Sequence, residues 1–156
     1  MHPVQGAGRE VQRRALALLG TVIVLDQATK WLVAARLPLG RSVPVIPGVL
    51  ALTHVHNPGV AFSLLGEVPL LAPVAVTLTL LFLLFYNKAR WSRRPTTQAA
   101  LAFLGGGAVA NLIDRIRVGA VVDFIDVHIW PVFNLADAAV TIGAVLLLLI
   151  LLRGDR

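Results

Sequence analysis

The sequence predicts an all-α membrane protein with four transmembrane helices and a small external sheet. Two observations carry this reading. The 156 residues are 57% hydrophobic and only 14% charged, with mean hydropathy +0.80, whereas a soluble domain is about 25% charged. The apolar residues also gather into four runs, each near the ~20 residues that cross a bilayer.

The runs place the spans at about 14–36, 68–86, 97–113 and 133–152. The first is interrupted by Asp26 and Lys30. It continues to Arg36 with no small-x-small site, so it is read as a span and not a secretory signal peptide. Residues 1–10 read as a disordered tail. The third run is the shortest and carries Gly105, Gly106 and Gly107. Together the runs make one membrane-embedded domain covering 1–156. The 37–67 segment is punctuated by Pro38, Gly40, Pro44, Pro47, Gly48, Pro58, Gly59 and Gly66, which excludes a long helix. Between them, residues 49–56 are apolar and β-branched and read as a strand of a small sheet on the membrane surface. Within the 114–132 segment, Gly119 to Pro131 reads as a loop that alternates around Asp123 and Asp126, and its Trp130 suits a headgroup interface. No internal repeat is visible, against an inverted-repeat transporter.

The net charge of +6 suggests nucleic acid at first sight. Membrane topology explains it better. Arg9, Arg13, Arg14, Lys88, Arg90, Arg93, Arg94, Arg153 and Arg156 all fall before the first run, between the second and third, or after the fourth. Basic residues mark the cytoplasmic side. Both termini are therefore expected in the cytoplasm, with 36–67 and 114–132 outside. Glu67, Asp26, Asp114, Asp123, Asp126 and Asp137 then lie outside or in the outer half of the membrane.

Acids in hydrocarbon are costly and mark function. Asp123 lies just before the fourth run and Asp137 about one turn inside it. Two adjacent carboxylates share a proton, so the ionised one deprotonates water while the other polarises a carbonyl. A proton relay or a structural acid pair are the competing readings. Asn134 sits three residues before Asp137, on the same helical face. Asp26 and Lys30, four apart, pair on one face, either as packing or to order the site. Asn111 shares a face with Asp114 and Arg115 beside the glycines, which allow close backbone approach. Arg115 is expected to pair with Asp114. Asn57 opens a turn and carries an amide to offer a substrate carbonyl.

Other chemistries fit less well. No cysteine is present, which removes thiol nucleophiles, disulfides and thiolate metal sites. His2, His54, His56 and His128 form no His-Glu-x-x-His, so no metal is expected. Ser63 with Lys30 is the best catalytic rival, as a Ser-Lys dyad. A proton-coupled transporter and a membrane scaffold are the other function classes. Substrate flux without a peptide product would mark the first, and tolerance of Asp→Asn changes the second.

The ordered segments Asp26-Gln-Ala-Thr-Lys, Asn57-Pro-Gly-Val-Ala-Phe-Ser, Asn111-Leu-Ile-Asp-Arg, Val122-Asp-Phe and Phe133-Asn-Leu-Ala-Asp resemble the lipoprotein signal peptidases (type II signal peptidases) of bacteria. The resemblance covers nearly the whole chain. It implies an aspartyl endopeptidase of the bacterial inner membrane, with four transmembrane helices and an external β-cradle. It also implies a short surface helix within 114–132. The implied reaction removes the signal peptide of a prolipoprotein just before the lipid-modified cysteine. The catalytic pair carries over to Asp123 and Asp137, and the supporting residues to Asp26, Lys30, Asn57, Asn111, Asp114, Arg115 and Asn134. Val60 departs from the family's more frequent Ala. No cofactor is needed, the partners are lipidated prolipoproteins and membrane lipids, and a monomer is expected.

Overall fold

The computed structural model describes residues 3–58 and 94–153, together with Val74 and Leu78. Helix α1 (Pro3–Arg36) leads into strands β1 (Ser42–Ile46) and β2 (Leu50–Asn57). Helix α2 (Pro95–Val118), strand β3 (Val121–Asp126) and helix α3 (Leu135–Arg153) follow. Among the described residues three helices are long and apolar enough to cross a membrane, over Gly8–Arg36, Pro95–Val118 and Leu135–Arg153. The expected second span, 68–86, lies outside the described residues apart from Val74 and Leu78.

Three boundaries differ from the sequence reading. The tail expected over 1–10 is helical from Pro3, and Glu10 and Arg14 make an exposed i,i+4 pair at 3.0 Å. Helix α2 runs five residues past 113, because Pro95 opens it and Gly119 closes it. Gly119 adopts φ 80 and donates its N–H to Arg115 O at 3.1 Å, the left-handed cap that glycine adopts without steric cost. The short surface helix expected in 114–132 is absent: 114–118 finishes α2, and 121–126 is strand β3.

The helices bury small residues and turn large ones outward. Ala100, Ala102, Ala110, Ala136 and Ala139 are buried. Leu16, Val24, Trp31, Ile142, Leu148 and Leu152 are exposed. That distribution suits a lipid solvent, where close packing, not apolar burial, joins helices. A Cβ on Gly107 would run into Ala136 O, and one on Gly143 would sit 2.7 Å from Ala100 O. Both glycines hold α2 against α3. Gly106 faces Leu19 and Val22 of α1 in the same way.

The three strands form one antiparallel sheet in the order β1-β2-β3. Ser42 pairs with Thr53 and Val43 with Leu52. On the other side Leu52 pairs with Ile125, and Val55 with Asp123 after a bulge. Phe133 extends the sheet past β3 by an isolated bridge to Ile125. Pro44 sits on the edge strand β1, where a missing N–H blunts further strand addition.

Candidate active site

Strand β3 carries Asp123 and the first turn of α3 carries Asp137, so sheet and bundle meet at the two acids. Helix α3 starts with a reciprocal cap. Asn134 Oδ1 accepts from Asp137 N at 2.8 Å, and Asp137 Oδ2 accepts from Asn134 N at 3.3 Å. This is a capping box built from Asn and Asp. The same Asn134 donates through Nδ2 to Asp123 Oδ1 at 2.6 Å. One fully buried amide therefore orients both acids.

Each acid has further amide donors. Asn57, at the end of β2, donates to Asp123 Oδ2 at 2.9 Å. Asn111, on α2, donates to Asp137 Oδ1 at 2.8 Å. The Asn111 carbonyl oxygen accepts from Lys30 Nζ at 2.9 Å and from Asn134 Nδ2 at 3.2 Å, which fixes its NH₂ toward Asp137. Asp123 is 1% exposed. Burial first, then the charge of Asp137, push its carboxyl from 3.8 up to about 6, against the pull of Asn57, Asn134 and Lys30.

Behind the acids lies a buried ion cluster. Lys30 Nζ sits 2.8 Å from Asp26 Oδ2 and 2.6 Å from Asp114 Oδ2. Each of these carboxylates also holds one backbone N–H. Asp26 Oδ1 accepts from Ala136 N at 2.8 Å, and Asp114 Oδ2 from Val122 N at 3.2 Å. Ala136 immediately precedes Asp137, and Val122 immediately precedes Asp123. The cluster thus pins the chain one residue ahead of each candidate catalytic acid, and it is compensated by hydrogen bonds as a buried ion group requires.

One expectation changes here. The partner of Asp114 is not Arg115. Its oxygens are taken by Lys30, Val122 N and Gln27 Nε2, the last at 2.8 Å. The half-buried Arg115 instead acts electrostatically on Asp137 first, then on Asp114 and Asp123. In the Ser-Lys rival, Lys30 Nζ is held by two carboxylates and an amide oxygen, and Ser63 lies outside the described residues. Gln27 was missed. It also donates to Ala110 O at 3.2 Å, and its signal was an amide inside an apolar run, which needs partners there.

Asp26, Lys30, Asn57, Asn111, Asp114, Asn134, Asp123 and Asp137 therefore form one hydrogen-bonded group, with Arg115 at its margin. Among the described residues no group of three or more His, Asp or Glu side chains is placed to hold a metal ion. His54 is also buried, but its Nδ1 donates to Leu37 O at 2.8 Å and ties β2 to the end of α1.

Residues 18–153 match the family model described as Signal peptidase (SPase) II. The chain is 46% identical over 136 residues to a lipoprotein signal peptidase of Halothermothrix orenii, covering 86% of this chain and 92% of that protein. It is 41% identical over 142 residues to a lipoprotein signal peptidase of Geobacter metallireducens, covering 86% and 87%. A bacterial membrane enzyme solved by the in meso method at 1.9 Å resolution superposes with TM-score 0.82 at 32% identity, covering 91% of this chain and 94% of that one. The ordered polar group and the match along most of the chain agree, and the protein belongs to the signal peptidase II family of membrane-embedded proteases that remove signal peptides from prolipoproteins.

Proposed function

We propose that the chain is an aspartyl endopeptidase that cuts a prolipoprotein immediately before its lipid-modified cysteine, with Asp123 and Asp137 as the catalytic pair. The observation that carries this is the single amide of Asn134, which donates to Asp123 and caps Asp137. Asp123, buried and with its carboxyl near 6, carries the shared proton. Asp137 is the base.

In the first step water attacks the scissile carbonyl carbon. Asp137 takes a proton from the water, and Asp123 gives its proton to the carbonyl oxygen. The resulting diol collapses: the C–N bond breaks, the leaving nitrogen takes the proton from Asp137, and the hydroxyl proton returns to Asp123. Asn57, Asn111 and Asn134 hold the carboxylates in register throughout. Lys30, Asp26 and Asp114 hold the backbone behind them, and Arg115 tunes the charge at the pair. The reaction calls for no metal or cofactor.

The protein works as a monomer in the bacterial inner membrane, with both termini in the cytoplasm. The pair then faces the outer leaflet, where a diacylglyceryl anchor holds the scissile bond. The distribution of Lys and Arg supports that orientation. The deciding experiment is cleavage of a lipidated and an unlipidated prolipoprotein by the wild type, Asp123→Asn and Asp137→Asn. Cleavage of the lipidated form by the wild type alone is the expected result. Turnover by either variant overturns the pair.

A further inference from the structure

Gln27 lies one residue past Asp26 on α1, half-buried at the edge of the ion cluster. Its Nε2 donates to Asp114 Oδ1 at 2.8 Å and to Ala110 O at 3.2 Å, both on α2, and reaches Asp26 Oδ2 at 3.4 Å. Its Oε1 accepts from Nη1 of the exposed Arg117 at 3.4 Å. A guanidinium only donates, and a carboxylate only accepts. The two neighbours therefore admit one orientation of the amide, with its NH₂ toward Asp114.

That orientation sets the rotation of the Asp114 carboxylate. With Oδ1 held by Gln27, Oδ2 meets Lys30 Nζ at 2.6 Å and Val122 N at 3.2 Å. Val122 O accepts in turn from Asn134 Nδ2 at 3.4 Å. The peptide groups on both sides of Val122 are thus fixed, and Asp123 is the next residue. Gln27 stands two hydrogen bonds from the backbone that carries Asp123, through Asp114 and Val122 N. It makes no ion pair, so its removal strands no charge: Asp114 keeps Lys30 and Val122 N. Close contact between α1 and α2 comes separately, from Gly106 against Leu19 and Val22.

We infer that Gln27 is a positioning residue for Asp123, acting through the Asp114 carboxylate on the N–H of Val122. This role rests on the proposed peptidase reading and deepens it. An acid that gives its proton to a carbonyl oxygen works only within hydrogen-bond reach of that oxygen, and the side chains that support such a group set its reach. Without Gln27 the Asp114 carboxylate is free to turn about its Cβ–Cγ bond and offer either oxygen to Lys30. The bond to Val122 N then weakens, because Lys30 is the stronger partner of the two. The cost falls on the chemical step, since Gln27 touches neither acid of the candidate pair.

The test uses the full-length protein in detergent, with a lipidated prolipoprotein as substrate. Gln27→Met keeps the length of the side chain and removes its hydrogen bonds. Folded yield should stay near wild type and KM should not move, while kcat falls about tenfold, the scale of one hydrogen bond to a charged group. Amide hydrogen exchange at Val122 should quicken, while Phe124 N, held by Phe133 O at 3.0 Å, exchanges as before. Gln27→Glu is the second variant. Its protonated acid donates to Asp114 as the amide does, and its ionised acid cannot; Asp114 and Asp26 lie on one side of it and Arg117 on the other. Its kcat should match wild type at low pH and fall below it as pH rises. Wild-type kcat in Gln27→Met, a change in KM alone, a loss of folded yield with an unchanged rate per folded molecule, or a Gln27→Glu to wild-type ratio that is flat with pH would each overturn the role. Exchange at Val122 is read without substrate. Quickened exchange in a protein whose wild type cleaves nothing would fault the peptidase reading alone, and unchanged exchange in a protein that cleaves would fault the role of Gln27 alone.

Discussion

Asn134 and Asp137 cap one another: the side-chain oxygen of each accepts the backbone N–H of the other, at 2.8 and 3.3 Å. The start of α3 and the placement of a candidate catalytic acid are therefore one structural event. The substitutions that separate them are Asn134→Ala and Asn134→Ser. Alanine removes both the cap and the donation to Asp123. It is expected to cost about 1 kcal/mol of stability and on the order of 10² in turnover. Serine keeps a capping oxygen but does not reach Asp123. Thermal stability should return with serine while turnover stays low. Recovery of both together would show that the amide acts through the helix alone.

The pH dependence follows from Asp123. Its carboxyl lies near 6 and is the protonated partner in the proposed mechanism, so kcat/KM should fall as pH rises through about 6. Stability has the same sign. A carboxyl raised by folding favours the folded state below its ordinary value of 3.8, and that contribution is lost as pH rises through about 6. The stability of Asp123→Asn relative to wild type should therefore increase between pH 4 and pH 8, by up to about 3 kcal/mol. Denaturation in detergent at the two pH values measures it. A difference independent of pH would contradict the assignment.

Lys30 and Arg115 should behave differently although both are basic and close to acids. Lys30→Met leaves Asp26 and Asp114 buried without their counter-ion, an expected loss of about 3–5 kcal/mol seen as low folded yield. Arg115→Gln leaves Asp114 bound by Lys30, Gln27 and Val122 N. Its folded yield should be near wild type, and its rate should change because the charge that acts on Asp137 is gone. Size-exclusion yield and single-turnover rate, measured on both variants, separate the roles.

Gly107→Ala tests the seat of Asp137. The added methyl would collide with Ala136 O and come within 2.8 Å of a Val140 methyl. Ala136 N is the group that Asp26 holds. Activity should fall further than that of Gly20→Ala, where the added methyl meets nothing within 4 Å. Equal activity in the two variants would mean that α3 yields without disturbing the site.

Much of the site was legible in the sequence because polar residues in apolar runs stand out. Asp26, Lys30, Asn111, Asp114, Asn134 and Asp137 each interrupt or border hydrocarbon, and the structure joins them. Strand β3 was less legible. Its first four residues are buried, so it shows no clear alternation between a wet and a dry face. The end of α2 was hidden because Asp114, Arg115 and Arg117 look like a loop; the overlooked stop signal was Gly119. The partner of Asp114 was misassigned to its sequence neighbour, although residues one apart on a helix do not face each other.

The Asp26–Lys30 pair also bears on how the molecule is built. The two charges lie one turn apart on α1 and meet at 2.8 Å, so a nascent α1 brings its own counter-ion into the bilayer and enters without net charge at that depth. Asp114 and the N–H of Ala136 reach the pair only with α2 and α3. Before they arrive Lys30 and Asp26 have unfilled hydrogen-bonding capacity in a solvent that offers none. The coordination is complete only when all three helices are in place. A partly assembled bundle therefore lacks the clamps behind Val122 and Ala136, and proteolytic competence arrives with the finished fold.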